Sequence, residues 1–98
     1  MNNFEQLPDD LTVDRFVNSS FDLSDRIQEI LKQKGISQKE LAEMLDKKES
    51  QVSKWLTGTH NFTIKTLSRL EVALGEPIFE VVKSKSSLAG KLISDSKY

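Results

Sequence analysis

The sequence predicts an all-α fold, a compact bundle of four to five helices with a long N-terminal helix, a short C-terminal strand and a tail. Gly35, Gly58 and Gly75 each follow a segment whose apolar residues recur at helical spacing. Glycine often ends a helix because it adopts positive φ at little steric cost. Ser37 and Thr63 stand where helix caps are expected. Helices therefore precede the three glycines.

The first helix is predicted to run from about Thr12 to Lys34. Its apolar stripe consists of Phe16, Phe21 or Leu23, Ile27, Ile30 and Leu31. A fresh start at Asp22 or Ser24 is the alternative. One long helix is preferred because neither Gly nor Pro lies between Phe16 and Ile27.

The second and third helices are short. Ser37 and Glu40 have the spacing of a capping box, which starts the second helix, and this helix reaches Asp46. The third helix is predicted over residues 49–57 and ends at Gly58. The inward residues of the two helices are Leu41, Ala42, Leu45, Val52, Trp55 and Leu56.

The fourth helix is predicted from Ile64 to Leu74, with Phe62 and Leu67 forming a hydrophobic staple around the Thr63 cap. Its inward residues are predicted to be Leu67, Leu70, Ala73 and Leu74. Residues 78–82 (IFEVV) are β-branched or aromatic and predict a short strand that needs a partner. The chain is thus divided into an acidic extension that begins the first helix (1–22), a helical domain (23–75), and a strand with a polar tail (76–98).

Composition excludes several classes of protein. The 98 residues include no Cys and one His, so disulfides, thiol nucleophiles and Cys/His metal sites are not expected. No apolar run approaches the roughly 20 residues that a membrane span needs. The first ten residues lack the features of a secretory signal, and a cytoplasmic location is expected. No phosphate loop or nucleophile motif is present, so the chain is not expected to be an enzyme or to hold a cofactor.

The charges are segregated along the chain. Residues 1–31 carry seven acidic and two basic residues, whereas residues 47–70 carry five basic residues and one acid, Glu49. A basic patch on a protein of net charge -1 favours a polyanionic partner at one face, although a solvated surface gives the same pattern.

The short helices resemble those of a known family. SQKELAEML, ESQVSKWLTG and TIKTLSRLEVALG look like the second, third and fourth helices of the lambda-repressor-like, XRE-type helix-turn-helix family. The matching positions are Gln38, Leu41, Ala42, Leu45, Val52, Trp55 and Gly58. The resemblance covers residues 23–75 and implies a compact helix-turn-helix bundle in a DNA-binding regulator of transcription.

The third helix is predicted to read bases in the major groove of double-stranded DNA. With Val52 and Trp55 inward, helical spacing leaves four residues on the outer and leading face: Glu49, Ser50, Ser53 and Lys54. The resemblance implies that these residues contact bases. Lys54 can donate to guanine and Glu49 can accept from cytosine N4, and a solvated helix face is the alternative.

A second set of polar residues surrounds this helix and is predicted to contact the DNA backbone. The set comprises Gln38, Lys47, Lys48, Thr59, His60, Asn61 and Lys65. The resemblance implies a phosphate contact for Gln38 and allows a base contact for His60 or Asn61. Capping of the loop by His60 is the alternative.

Two residues depart from the family pattern. Asp46 stands where the turn usually has Gly, which is tolerable because Asp enters the left-handed region more readily than most residues. Lys48 replaces the small hydroxyl residue that normally caps the third helix, which loses about 1 kcal/mol of capping.

Two functions are consistent with these features. The first is a transcriptional regulator that binds a specific DNA sequence as a homodimer, through pairing of residues 78–82, or through the first helix. Packing of residues 78–82 on their own domain is a third arrangement. The second function is an antitoxin resembling the host-inhibition-of-growth type, which represses its own operon and neutralises a small ribonuclease toxin. The acidic first 30 residues fit such a basic partner.

Overall fold

The structure is a computed structural model that describes residues 9–84. It contains four helices, α1 (Asp9–Lys34), α2 (Gln38–Leu45), α3 (Glu49–Trp55) and α4 (Ile64–Leu74), and residues 9–84 contain no strand. The all-α prediction, with a long first helix, is therefore confirmed. None of these helices is both long enough and apolar enough to cross a membrane.

One apolar core joins the four helices. The second half of α1 contributes Ile27 and Ile30, both fully buried, and the short helices pack around them. The remaining buried apolar residues are Leu31, Leu41, Ala42, Leu45, Val52, Trp55, Leu67, Leu70, Leu74 and Ile78. The predicted inward faces of α2, α3 and α4 are thus correct, with Leu56 and Ala73 partly buried at the rim.

The first half of α1 differs from the prediction. The helix is continuous from Asp9, but Phe16 is 39% exposed and Phe21 is 44% exposed, so neither belongs to the core stripe. Of the two residues predicted for the next position of the stripe, Leu23 packs against the core. Phe16 lies in residues 9–19, called the α1 arm, where only Val17 and Ser19 are partly buried, whereas Phe21 lies C-terminal to the arm and packs against Gly58. The apolar residues of the arm recur at the spacing of a buried helix, but most of its side chains are exposed in the part of the chain that the structure describes.

Local signals set the ends of α2. Ser37 Oγ accepts a hydrogen bond from the Glu40 amide at 3.0 Å, and Glu40 Oε1 accepts one from the Ser37 amide at 2.8 Å, which is the predicted capping box. Asp46 ends the helix with φ 56° and ψ 49°. The prediction that Asp46 occupies the left-handed region is therefore confirmed.

The ends of α3 are defined by fewer side-chain capping interactions than the ends of α2. Lys48 occupies the N-cap position and its side chain makes no capping hydrogen bond, as predicted from the missing hydroxyl. The helix ends at Trp55 rather than at residue 57, because Leu56 and Thr57 form a turn in which Thr57 Oγ1 donates to the Lys54 carbonyl at 2.8 Å.

The predicted strand over residues 78–82 is wrong for the described chain. The amides of Ile78 and Phe79 donate to Glu71 Oε2 at 2.8 and 3.3 Å, and Arg26 Nε donates to the Pro77 carbonyl at 2.9 Å. Side chains of α4 and α1 therefore take the polar groups that a partner strand would use. Ile78 enters the core, whereas Val81 is 76% exposed. The predicted tail beyond residue 84 and the first eight residues lie outside the described part of the chain.

Candidate nucleic-acid interface

The outer face of α3 is exposed along its whole length. Val52 is fully buried and Trp55 is 3% exposed, so the rotation of the helix about its axis is fixed. The four residues predicted to contact bases are all exposed on this helix: Glu49, Ser50, Ser53 and Lys54. The structure thus places them together on one polar surface.

A polar groove of about 390 Å³ lies on one side of α3. It joins Gln38, at the start of α2, to Ser53, and we call it the Gln38 groove. Its other lining residues are Gln28, Leu31, Ile36, Leu56 and Thr57. A predicted backbone contact and a predicted base contact therefore share one surface.

A second polar groove, of about 280 Å³, lies between α3 and the start of α4. We call it the Lys47 groove. It is lined by Leu45, Lys47, Gln51, Trp55, His60, Thr63, Lys65, Thr66 and Arg69. Three of the predicted backbone contacts, Lys47, His60 and Lys65, therefore meet there, whereas Lys48, Thr59 and Asn61 are exposed but do not line either groove.

The Lys47 groove is cationic. Three permanent bases line it and no carboxylate does. Arg69 Nη2 donates to the Leu45 carbonyl at 2.8 Å, which ties α4 to the end of α2. The two ion pairs of residues 9–84, Arg26 with Glu29 and Lys34 with Glu76, use none of the bases in residues 47–70. Within the described part of the chain, none of these bases is neutralised by a carboxylate.

Among residues 9–84, His60 makes contacts through its ring and makes no hydrogen bond that caps the loop. Its ring meets Phe62 edge-on with centroids 4.8 Å apart, and the Trp55 ring is 6.4 Å away. The described residues contain no group of three or more His, Asp or Glu side chains that could hold a metal ion. The His60 imidazole therefore packs on aromatic rings and lines the same groove as the three basic side chains.

Six polar residues that line the grooves were not among the predicted contacts: Gln28, Gln51, Thr57, Thr63, Thr66 and Arg69. Gln51 could have been found, because it lies on the same short helix as the predicted base contacts. Gln28 and Arg69 come from α1 and α4, and their positions depend on how distant helices pack.

The end of α3 is held by α1. Ser24 Oγ donates to the Trp55 carbonyl at 2.6 Å, and Gln28 Nε2 donates to the Leu56 carbonyl at 2.8 Å. Phe21 lies against Gly58, immediately after the helix, so closely that a Cβ atom at residue 58 would overlap the ring. One face of α1 thus contacts the end of α3 at Trp55, Leu56 and Gly58.

Comparison with known proteins supports this geometry. A helix-turn-helix family model matches residues 27–81, which is more than half of the chain and includes α2, α3 and α4 in full. Comparison with curated proteins gave no match, and comparison with solved structures gave none. Helix-turn-helix proteins place the second helix of the motif in the major groove of DNA. The chain therefore belongs to the XRE-type helix-turn-helix family of DNA-binding proteins.

Proposed function

We propose that this protein is a sequence-specific regulator of transcription that inserts α3 into the major groove as part of a homodimer. The observation that carries the proposal is the position of α3, whose exposed polar face lies between two polar grooves. The DNA major groove is about 12 Å wide and admits one α-helix. Phosphate backbones then pass on both sides of the helix, where the grooves lie.

The exposed residues of α3 differ in the base atoms with which they can form hydrogen bonds. Lys54 can donate to O6 and N7 of guanine, and Glu49 can accept from the amino group of cytosine. Ser50 and Ser53 can donate or accept, and so discriminate less between bases. Glu49 opposes phosphate by its charge, which favours a base contact for this residue.

The flanking residues supply affinity without sequence information. Gln38 reaches one backbone from the Gln38 groove, and Lys47, His60 and Lys65 reach the other from the Lys47 groove. Lys48, Thr59 and Asn61 extend these contacts from the turn before α3 and the loop after it. Each phosphate neutralised by a lysine releases counterions, so affinity falls as salt rises.

A dimer follows from the size of the reading helix. α3 has seven residues and covers only a few base pairs, whereas regulators of this kind reach useful specificity by binding two half-sites. A two-fold protein on a palindromic site gives this arrangement, and two chains per operator are expected.

Paired substitutions test the division between base and backbone contacts. After an operator is selected from random DNA, Lys54→Ala is expected to cost about 1–3 kcal/mol at one base position and to relax specificity there. Lys47→Ala is expected to weaken binding to all sequences alike and to reduce the salt slope by about 1 for each chain, hence by about 2 for the dimer. Titrations on operator and scrambled DNA at several salt concentrations measure both effects.

Both lysines are exposed, so circular dichroism should show unchanged folding for both variants. Identical losses on operator and scrambled DNA for the two variants would contradict the assignment of Lys54 to a base. Failure to select any operator would contradict sequence-specific binding itself.

A second candidate function is that of an antitoxin that also neutralises a small ribonuclease. The observation that favours it is the α1 arm, where Val13 and Phe16 are exposed beside the acidic residues Asp9, Asp10 and Asp14. An apolar stripe with acidic neighbours suits a basic protein partner.

Growth rescue tests the antitoxin function. If a neighbouring gene encodes a small basic ribonuclease, the chain is expected to restore growth of cells that express it. The double variant Val13→Ala/Phe16→Ala should lose this rescue while keeping its affinity for DNA. Leu11→Ala, on the opposite side of the arm, is the control. Unimpaired rescue by the double variant would exclude the arm as the contact.

A further inference from the structure

The carbonyl groups at the end of α3 accept hydrogen bonds from two sources. Thr57, the next residue but one after the helix, donates to the Lys54 carbonyl, whereas the Trp55 and Leu56 carbonyls accept from α1. The last carbonyls of a helix have no partner within the helix, and a seven-residue helix is too short to be stable alone. Lys48 gives no side-chain cap at the other end. The direction in which α3 points therefore depends on contacts from other helices.

Ser24 and Gln28 supply two of these contacts in different environments. Ser24 is 1% exposed, so its bond to the Trp55 carbonyl is part of the core. Gln28 is exposed, and its amide crosses the end of the Gln38 groove to reach the Leu56 carbonyl. Water can replace the Gln28 amide at that carbonyl, so the stability of the fold depends little on it.

We propose that Gln28 is a positioning residue for DNA recognition, which fixes the C-terminal end of α3 and thereby sets specificity at the base pairs beneath Ser53 and Lys54. This inference rests on the proposed function. Hydrogen bonds to bases need donor and acceptor within about 0.3 Å of their best separation, so a small tilt of α3 weakens them. Glu49 and Ser50, at the other end of the helix, are moved less by such a tilt.

A direct contact between Gln28 and a phosphate is the rival explanation, because Gln28 shares the groove with Gln38 and Thr57. The two explanations predict different patterns. A lost phosphate contact weakens binding to every sequence equally, whereas a tilted helix weakens binding to the operator and leaves non-specific binding unchanged.

The test compares Gln28→Met with Gln33→Met in the full chain. Methionine keeps the length, neutrality and helix propensity of glutamine but lacks the amide. Gln33 is exposed on the same helix and lines neither groove, which makes it a matched control. Affinity is measured for the selected operator, for each single-base variant of one half-site, and for scrambled DNA.

Gln28→Met is expected to lower discrimination about five- to tenfold, within the range of one good base contact, at the same base pairs that Lys54→Ala affects. Its affinity for scrambled DNA and its melting temperature should match those of Gln33→Met. Uniform weakening on all DNA, or unchanged discrimination, would overturn the inference while the wild-type chain still selects its operator. A wild-type chain without sequence preference would instead overturn the proposed function and the inference with it.

Discussion

Trp55→Ala is expected to lower the free energy of unfolding by about 3–5 kcal/mol. The indole is 3% exposed and belongs to the core cluster that joins the helices. Its removal leaves a cavity that the short helices cannot fill without moving. Chemical denaturation followed by circular dichroism measures the change, since the variant lacks the only tryptophan of the chain.

Lys54→Ala, one residue earlier and exposed, is the control for this measurement. It is expected to change stability by less than about 0.5 kcal/mol, because surface substitutions rarely do more. Similar denaturation midpoints for Trp55→Ala and Lys54→Ala would place Trp55 at the surface. That result would also invalidate the rotation of α3 from which the base-reading face follows.

Gly58→Ala is also expected to lower the free energy of unfolding by a large amount, for two separable reasons. The residue has φ +98°, where an L side chain costs about 1–2 kcal/mol. A Cβ atom would also overlap the Phe21 ring, and overpacking of this kind costs about 1–3 kcal/mol more. Thermal and denaturant unfolding of the variant give the sum of the two costs.

Gly75→Ala separates the two costs, because Gly75 also has positive φ but has open space where its Cβ would lie. It should show the backbone cost alone. Phe21→Ala removes the ring, so Gly58→Ala made in that background should fall to the value found for Gly75→Ala. Equal losses for Gly58→Ala and Gly75→Ala in the parent chain would show that the contact between Phe21 and residue 58 has no energetic weight.

Local signals explain why most of the fold could be predicted from the sequence. The Ser37 capping box, the Asp46 turn and the missing cap at Lys48 each involve residues within a few positions of one another. The prediction of a strand from Ile78 was wrong because the amides of Ile78 and Phe79 bind Glu71, seven and eight residues away. The β-propensity of the segment contains no information about that hydrogen bonding. Likewise, apolar spacing in α1 cannot tell whether a neighbouring element covers the helix.

For the candidate site too, the sequence predicted the residues placed by local helical spacing but not those placed by tertiary packing. Val52 and Trp55 fix the exposed face of α3 by helical spacing alone, and the residues on that face followed. Arg69 and Gln28 were not predictable, since each reaches the α2–α3 unit from a separate helix, 24 and 28 residues away along the chain from its carbonyl partner. Tertiary packing places Arg69 and Gln28 beside α2 and α3, and no short-range sequence pattern predicts that packing.

The attachment of α1 at one end has a kinetic consequence. Its C-terminal half carries Ile27 and Ile30 into the core, so amide hydrogens there are expected to be among the slowest of the domain to exchange with solvent. The exposed α1 arm is a helical segment of about eleven residues, a length that is marginal without packing. Its hydrogen bonds therefore open one after another from Asp9 inward, and amide protection rises steeply along the single helix. A protein bound to the arm would flatten this gradient, which makes hydrogen exchange a reporter of partner binding that is independent of DNA.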